Sequence, residues 1–117
     1  MHEFGCTDCG VAVQPDNIAA QTEGSMVYGL RLALSERISI KDGAVEQSNF
    51  YDYQVSRVNK IPPMHVEVIQ TDNHPTGAGQ MSTPLVAPTI SNAVAQLTGV
   101  RLRHTPFTPD RVRKALD

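Results

Sequence analysis

The sequence predicts an α+β domain: a mostly antiparallel sheet with two main helices packed on it and a short C-terminal helix. A long stretch from about Ile18 to Ser35 carries apolar residues at helical spacing, and a second apolar stretch runs from Pro88 to Gly99. Between and after them the pattern switches to a period of two. At 117 residues the chain fits a single domain spanning 1–117, long enough to bury one core.

In chain order, Val11-Ala12-Val13 reads as the end of a short strand. Gln14-Pro15-Asp16-Asn17 reads as a turn that hands over to the first helix with Asp16 or Asn17 as its cap. Within that helix Ile18, Met26, Val27, Leu30, Ala33 and Leu34 wrap much of the circumference. Gly24 and Gly29 each cost up to ~1 kcal/mol relative to alanine there, which points to another backbone packed close by. Gln21 and Glu23 share a turn with Gly24; they are either satisfied or edge-exposed polar groups, the commoner case, or part of a site.

From Arg37 to Lys41 apolar and polar residues alternate, Asp42-Gly43 is a turn signal, and Ala44 to Ser48 returns as the partner strand. Phe50-Tyr51-Asp52-Tyr53 gathers aromatics beside one acid, which lines a pocket or, more commonly, packs a loop onto a sheet. After Pro62-Pro63, Met64 to Gln70 alternates as a partly buried strand. Gly77-Ala78-Gly79-Gln80 then lies between a strand and a helix, a common place for function. Gly77 and Gly79 can take up φ > 0 and let a ligand approach the main chain. Pro88 suits the first turn of a helix in which Ile90, Val94 and Leu97 repeat and Gly99 forms the end. Val100 to His104 alternates as a last short strand, and Thr108-Pro109-Asp110 opens a capped final helix.

A formal net charge of -2 gives no electrostatic reason to expect nucleic acid or an anionic membrane as partner. The basic residues after position 100 are balanced by Asp110 and Asp117 and read as a solvated face. No stretch approaches the roughly 18 apolar residues of a membrane span, and the N-terminus lacks the basic-then-apolar order of a signal peptide, leaving cytoplasm and periplasm both open. Cys6 and Cys9 form the only Cys-x-x-Cys, without a second pair to complete a four-thiolate zinc site. With His2, His65, His74 and His104 scattered, ordinary thiols are the first reading, ahead of structural zinc or a redox dithiol.

Taken together, Asp8-Cys9-Gly10, Gln21-Thr22-Glu23-Gly24, Val27-Tyr28-Gly29-Leu30, Ser48-Asn49-Phe50 with Asp52-Tyr53, Gly77-Ala78-Gly79-Gln80, and Thr83-Pro84 with Ala87-Pro88 and Asn92-Ala93 resemble a known family. It is the C-terminal part of the molybdopterin-binding large subunit of xanthine dehydrogenases and aldehyde oxidases, of the isoquinoline 1-oxidoreductase beta-subunit type. The resemblance runs from about residue 8 to about residue 105. It implies a molybdopterin cofactor, in bacteria often the cytosine dinucleotide form, and oxidation of an aromatic N-heterocycle or an aldehyde with water-derived oxygen. It also implies an iron-sulfur small subunit and the remainder of the molybdenum subunit as partners.

Carried over residue by residue, the resemblance places Gln21 at a glutamine that reaches the pterin and Gly77 and Gly79 in the loop that lies against the cofactor. Glu23 and Gly24 match structural positions. In the family pattern a glutamate follows the second glycine and serves as the base of the hydroxylation; here that position is Gln80. A neutral amide cannot take up a proton at any useful pH, and loss of a positioned base typically removes roughly 10²- to 10⁴-fold in rate.

Family subunits are several times longer, and Met1 to Gly5 do not read as the strand expected before Asp8. The expectation is therefore a fragment or split subunit that binds cofactor only within the complete assembly and exposes apolar surface where the rest belongs. The competing expectation is a non-catalytic binding or scaffold module that kept the fold. A small zinc or thiol module built on Cys6 and Cys9 is a third.

Overall fold

In a computed structural model, described over residues 3–117 and without the side chain of Glu3, the order of elements is β1 (Glu3–Asp8), α1 (Pro15–Leu34), β2 (Ile40–Lys41), β3 (Ala44–Val45), β4 (Met64–Ile69), α2 (Thr83–Thr98) and α3 (Pro109–Leu116). A short 3-10 turn, Val58–Lys60, precedes β4. The α+β class holds, with α1 and α2 packed together.

The sheet differs from the antiparallel expectation. β1 and β4 pair in parallel, Glu3 opposite Met64 through Asp8 opposite Ile69. Antiparallel pairing is confined to the two-residue arms β2 and β3 around Asp42-Gly43. The cause is connectivity: strands joined through a long helix can return in the same direction, whereas short connections between neighbours force antiparallel pairing. β1 also begins within the stretch Met1 to Gly5 that did not read as a strand; Met1 and His2 lie outside the described residues.

Two other strand expectations fail for one reason, alternation without a ladder. Gly10 turns the chain at φ 81, so Val11 to Val13 leave the sheet after a single bond from Val11 N to the Asn73 carbonyl (3.0 Å). Leu102 points inward and Arg101 and Arg103 outward as a strand would place them, but the Leu102 carbonyl is taken by the buried Ser91 hydroxyl at 2.6 Å.

α1 starts at Pro15, a residue suited to a first helical turn, rather than at Ile18, and Gln14 is the flanking residue. Its inward face carries Thr22, Ser25, Met26, Gly29, Leu30 and Ala33. Met26 and Leu30 meet Val86 of α2, with Ile61, Met64, Val66 and Ile90 packed around them. Ala33, Leu102 and Phe107 form a second cluster. Gly29 is where the two helices come closest: a Cβ there would stand 2.6 Å from the Thr83 carbonyl oxygen and 2.8 Å from Val86 Cγ2. At Gly24 a Cβ would meet nothing, so only one of the two helix glycines marks a close backbone.

α2 begins five residues before the expected Pro88, which lies inside it. Pro84 takes the first turn instead, and the start is held on α1 by Thr83 Oγ1, which donates to the Ser25 carbonyl at 3.0 Å. That tertiary hold offsets an interior proline that costs ~3 kcal/mol in an isolated helix. Gly99 closes α2 at φ 76 as expected, but Leu97, three residues after Val94, is 87% exposed.

Candidate functional site

Two backbone anchors define the loop that follows β4. At its root, Asp8 Oδ1 accepts from Gly10 N (2.9 Å) and from Thr71 Oγ1 (3.0 Å), and Thr76 N donates to the Cys9 carbonyl at 2.8 Å. Gly10 is required there, because at its positive φ a Cβ would lie 2.7 Å from the Asn73 carbonyl oxygen and against that of His74. At the far end, Ser82 N donates to Ser25 Oγ at 3.2 Å.

Ser25 belongs to a short buried polar chain. Its hydroxyl donates to the Thr22 carbonyl (2.8 Å), the Thr22 hydroxyl donates to the Ile18 carbonyl (2.9 Å), and the Thr7 hydroxyl therefore supplies the proton of the 3.3 Å contact with Thr22 Oγ1. β1, α1 and the start of α2 are thus tied by hydroxyls that are all satisfied, as buried polar groups must be. This seam was missed in the sequence, although Thr22 and Ser25 fall on the same helical face as Met26 and Gly29 and the periodicity alone places them inward.

Between the anchors, residues 77 to 81 arch out of the fold. Gly77, Gly79 and Gln80 are exposed. Neither glycine adopts positive φ, contrary to the backbone expectation, and a Cβ on either would meet nothing within 4 Å. Gln21 is also exposed, on α1 one turn before Ser25. Ser25 in turn holds Ser82, two residues after Gln80. Neither glutamine side chain is engaged in the hydrogen bonds of the described residues, so both amides present free donors and acceptors. A polar group lying along the arch would find open main chain at Gly77 and Gly79 and the exposed Gln80 amide beside them; in that respect the residues fit a large polar cofactor.

The other candidates separate. Cys6 is exposed on β1 and Cys9 is buried at the loop root, both as free thiols. Among the described residues no three His, Cys, Asp or Glu side chains gather as metal ligands, and His2 lies outside them. Phe50 and Tyr51 are exposed rather than packed on the sheet. The Tyr53 hydroxyl instead donates to Glu36 Oε2 at 2.8 Å, and Glu36, 7% exposed, is also bonded by Arg31 Nε. The bond to Glu36 pushes the Tyr53 phenol above its usual range. Asp52 accepts from the Ser48 and Asn49 amides, which hold its carboxyl below the usual range. No helix among the described residues is long and apolar enough to cross a membrane.

Residues 4–62 match the model of the molybdopterin cofactor-binding domain. The chain is 38% identical over 102 residues to the isoquinoline 1-oxidoreductase subunit beta of Brevundimonas diminuta, covering 87% of this chain and 13% of that protein. It is also 38% identical over 109 residues to a membrane-bound aldehyde dehydrogenase [pyrroloquinoline-quinone] of Gluconacetobacter polyoxogenes, covering 93% and 14%. Its fold superposes on quinoline 2-oxidoreductase from Pseudomonas putida 86 with a TM-score of 0.85 at 20% identity, over 97% of this chain and 16% of that one. The chain therefore spans about one seventh of the length of these relatives. The chain belongs to the molybdopterin cofactor-binding domain family, whose members are molybdopterin-dependent oxidoreductases.

Proposed function

We propose that this chain is one wall of the molybdenum-holding subunit of a hydroxylase that oxidises an aromatic N-heterocycle or an aldehyde with oxygen drawn from water. The observation that carries the reading is the arch at Gly77 to Gln80, anchored at both ends by hydrogen bonds, with open space at Gly77 and Gly79 and an exposed Gln80. Gln21, Gly77 and Gly79 would hold molybdopterin, in its cytosine dinucleotide form, through side-chain amide and main-chain contacts. Bound there, the cofactor supplies the two-electron oxidation of the substrate carbon.

The chain's own residues bind and orient. The Gln80 amide donates through Nε2 and accepts through Oε1, so it can position a substrate or a cofactor oxygen. It has no basic lone pair to take up a proton near neutral pH, and the step that a glutamate would assist is left without its base. Completion of the site falls to the remainder of the molybdenum subunit, with an iron-sulfur small subunit as electron partner. Exposed apolar side chains such as Phe50, Tyr51 and Val58 support a surface that a larger assembly covers.

The test is co-expression of this chain with the Brevundimonas diminuta isoquinoline 1-oxidoreductase beta subunit from which the aligned 102 residues have been deleted. Co-purification of the two, with molybdenum in the complex and none in the isolated chain, is the expected result. A chain that stays monodisperse and ignores this partner contradicts the proposal. The amide at position 80 favours a second reading, a binding or scaffold module without catalysis; absence of turnover in the co-purified assembly that Gln80→Glu does not restore would support it.

A further inference from the structure

We infer that the edge of β1 over Gly5 to Asp8 receives one more β-strand, supplied by the larger subunit polypeptide and laid into the groove between β1 and α2. This rests on the reading above that the chain completes a longer molybdenum subunit, and it adds the mode and place of docking.

The first observation is a regular strand without the usual edge-blunting devices. β1 has one ladder neighbour among the described residues, β4, and the pairing runs one-to-one along all six residues without a bulge. The strand carries neither proline nor lysine, the residues that usually blunt an edge. A parallel pair standing alone is also unusual, because parallel strands belong to larger sheets covered by helices.

The second observation is a helix without a sheet beneath it. α1 covers the β1–β4 pair: Met26 packs against Gly5, Thr22 bonds Thr7, and Met64 and Val66 reach the Met26–Leu30–Val86 cluster. α2 lies beside α1, but a cavity of about 520 Å³ opens between it and the β1 edge, and no β4 residue lines it. Gly5 and Cys6 form one wall. Leu85, Thr89 and Ala93 form the other, spaced by four and so aligned as one stripe along α2. Leu85 is 61% exposed, the behaviour of a core residue without its partner.

An extended segment solves both problems at once. Its main chain would pair with β1, and its alternate side chains would fall on the α2 stripe as those of β4 fall on α1. The stripe from Leu85 to Ala93 spans ~12 Å, matched by about four strand residues at ~3.3 Å each, so the occupant is a short strand with apolar residues at every second position. Its source is the larger subunit polypeptide, because the relatives carry about seven times the length spanned here.

The test uses the full chain with the truncated Brevundimonas diminuta subunit described above. Leu85→Glu and, as a second variant, Thr89→Glu place a carboxylate where the strand would bury it, and each is expected to weaken association at least about tenfold. Leu97→Glu, on an exposed position outside the groove, keeps wild-type association. In the complex the amides of Gly5 to Asp8 gain hydrogen-exchange protection. Equal association of Leu85→Glu, Thr89→Glu and Leu97→Glu, with no gain of protection in β1, overturns the docking mode while leaving the larger assembly intact. Failure of the wild-type chain to associate at all removes the assembly and the docking mode together. Protection of β1 that rises with the concentration of this chain alone assigns the groove to a second copy and also overturns the inference.

Discussion

The seam at Thr7, Thr22, Ser25 and Ser82 and the arch at Gly77 to Gln80 are joined within two residues and behave in opposite ways. In the seam the hydroxyls of Thr7, Thr22 and Ser25 are buried and bonded, the Ser82 amide donates to Ser25, and close backbones at Gly29 and Gly10 leave no room for a side chain. In the arch the glycines face open space and the glutamine amide is unengaged. Glycines that look equivalent in a sequence therefore do different work: some let this chain fold on itself, while others leave main chain available to a group from outside it. The seam fixes the end of the loop at Ser82.

The largest expected effect lies at the open end. In the assembled enzyme Gln80→Glu places a carboxylate at the position proposed above for the base, and turnover is expected to rise by roughly 10²- to 10⁴-fold, with pH dependence on the acid side from the new carboxyl. Steady-state kinetics on the two forms check this; an unchanged rate would mean that position 80 is not the base position or that another group serves.

At the closed end the effects are on stability. Gly10→Ala combines a strained positive φ with contact on the Asn73 and His74 carbonyls and is expected to cost about 2–4 kcal/mol. Gly29→Ala forces the helices apart at Thr83 and Val86 and costs about 1–3 kcal/mol. Denaturant unfolding of the isolated chain reads both, and a Gly29→Ala protein as stable as wild type would remove the close helix contact from the account.

Smaller still is the bond at the C-terminal end of α1. Tyr53 donates to the buried Glu36, and its raised pKa means that the folded state favours the protonated phenol. The contribution is fully present below the ordinary phenol pKa and is lost as pH rises through the folded value. Wild type is thus expected to lose stability faster than Tyr53→Phe only in strongly alkaline solution, above the ordinary phenol pKa, a loss of about 1 kcal/mol; parallel pH profiles of the two would remove the bond as a contributor.

Much of the fold was legible because hydrophobic period is local information. The helix α1, the turn at Asp42-Gly43, the strand at Met64 and the stop at Gly99 follow from residues a few positions apart. Strand direction was not legible: nothing in Met64 to Ile69 or Glu3 to Asp8 says that the two meet in parallel, since pairing across sixty residues is decided by how α1 packs. The start of α2 was misplaced because Pro88 breaks a helix in isolation, whereas Ser25 and Gly29 hold the preceding turn from outside. The arch was legible as a stretch of glycines with one polar side chain, but the open space at Gly77 and Gly79, the property that separates them from Gly10 and Gly29, is visible only once the chain is folded.

The distinction between closed and open glycines is tested most directly by Gly79→Val, measured twice. In the isolated chain the thermal transition is expected to stay within about 0.5 kcal/mol of wild type, because the added side chain enters open space. In the co-expressed assembly the same substitution is expected to reduce molybdenum content to a small fraction of the wild-type level. Full molybdenum loading of the Gly79→Val assembly would contradict the assignment of the arch as the face that meets the cofactor.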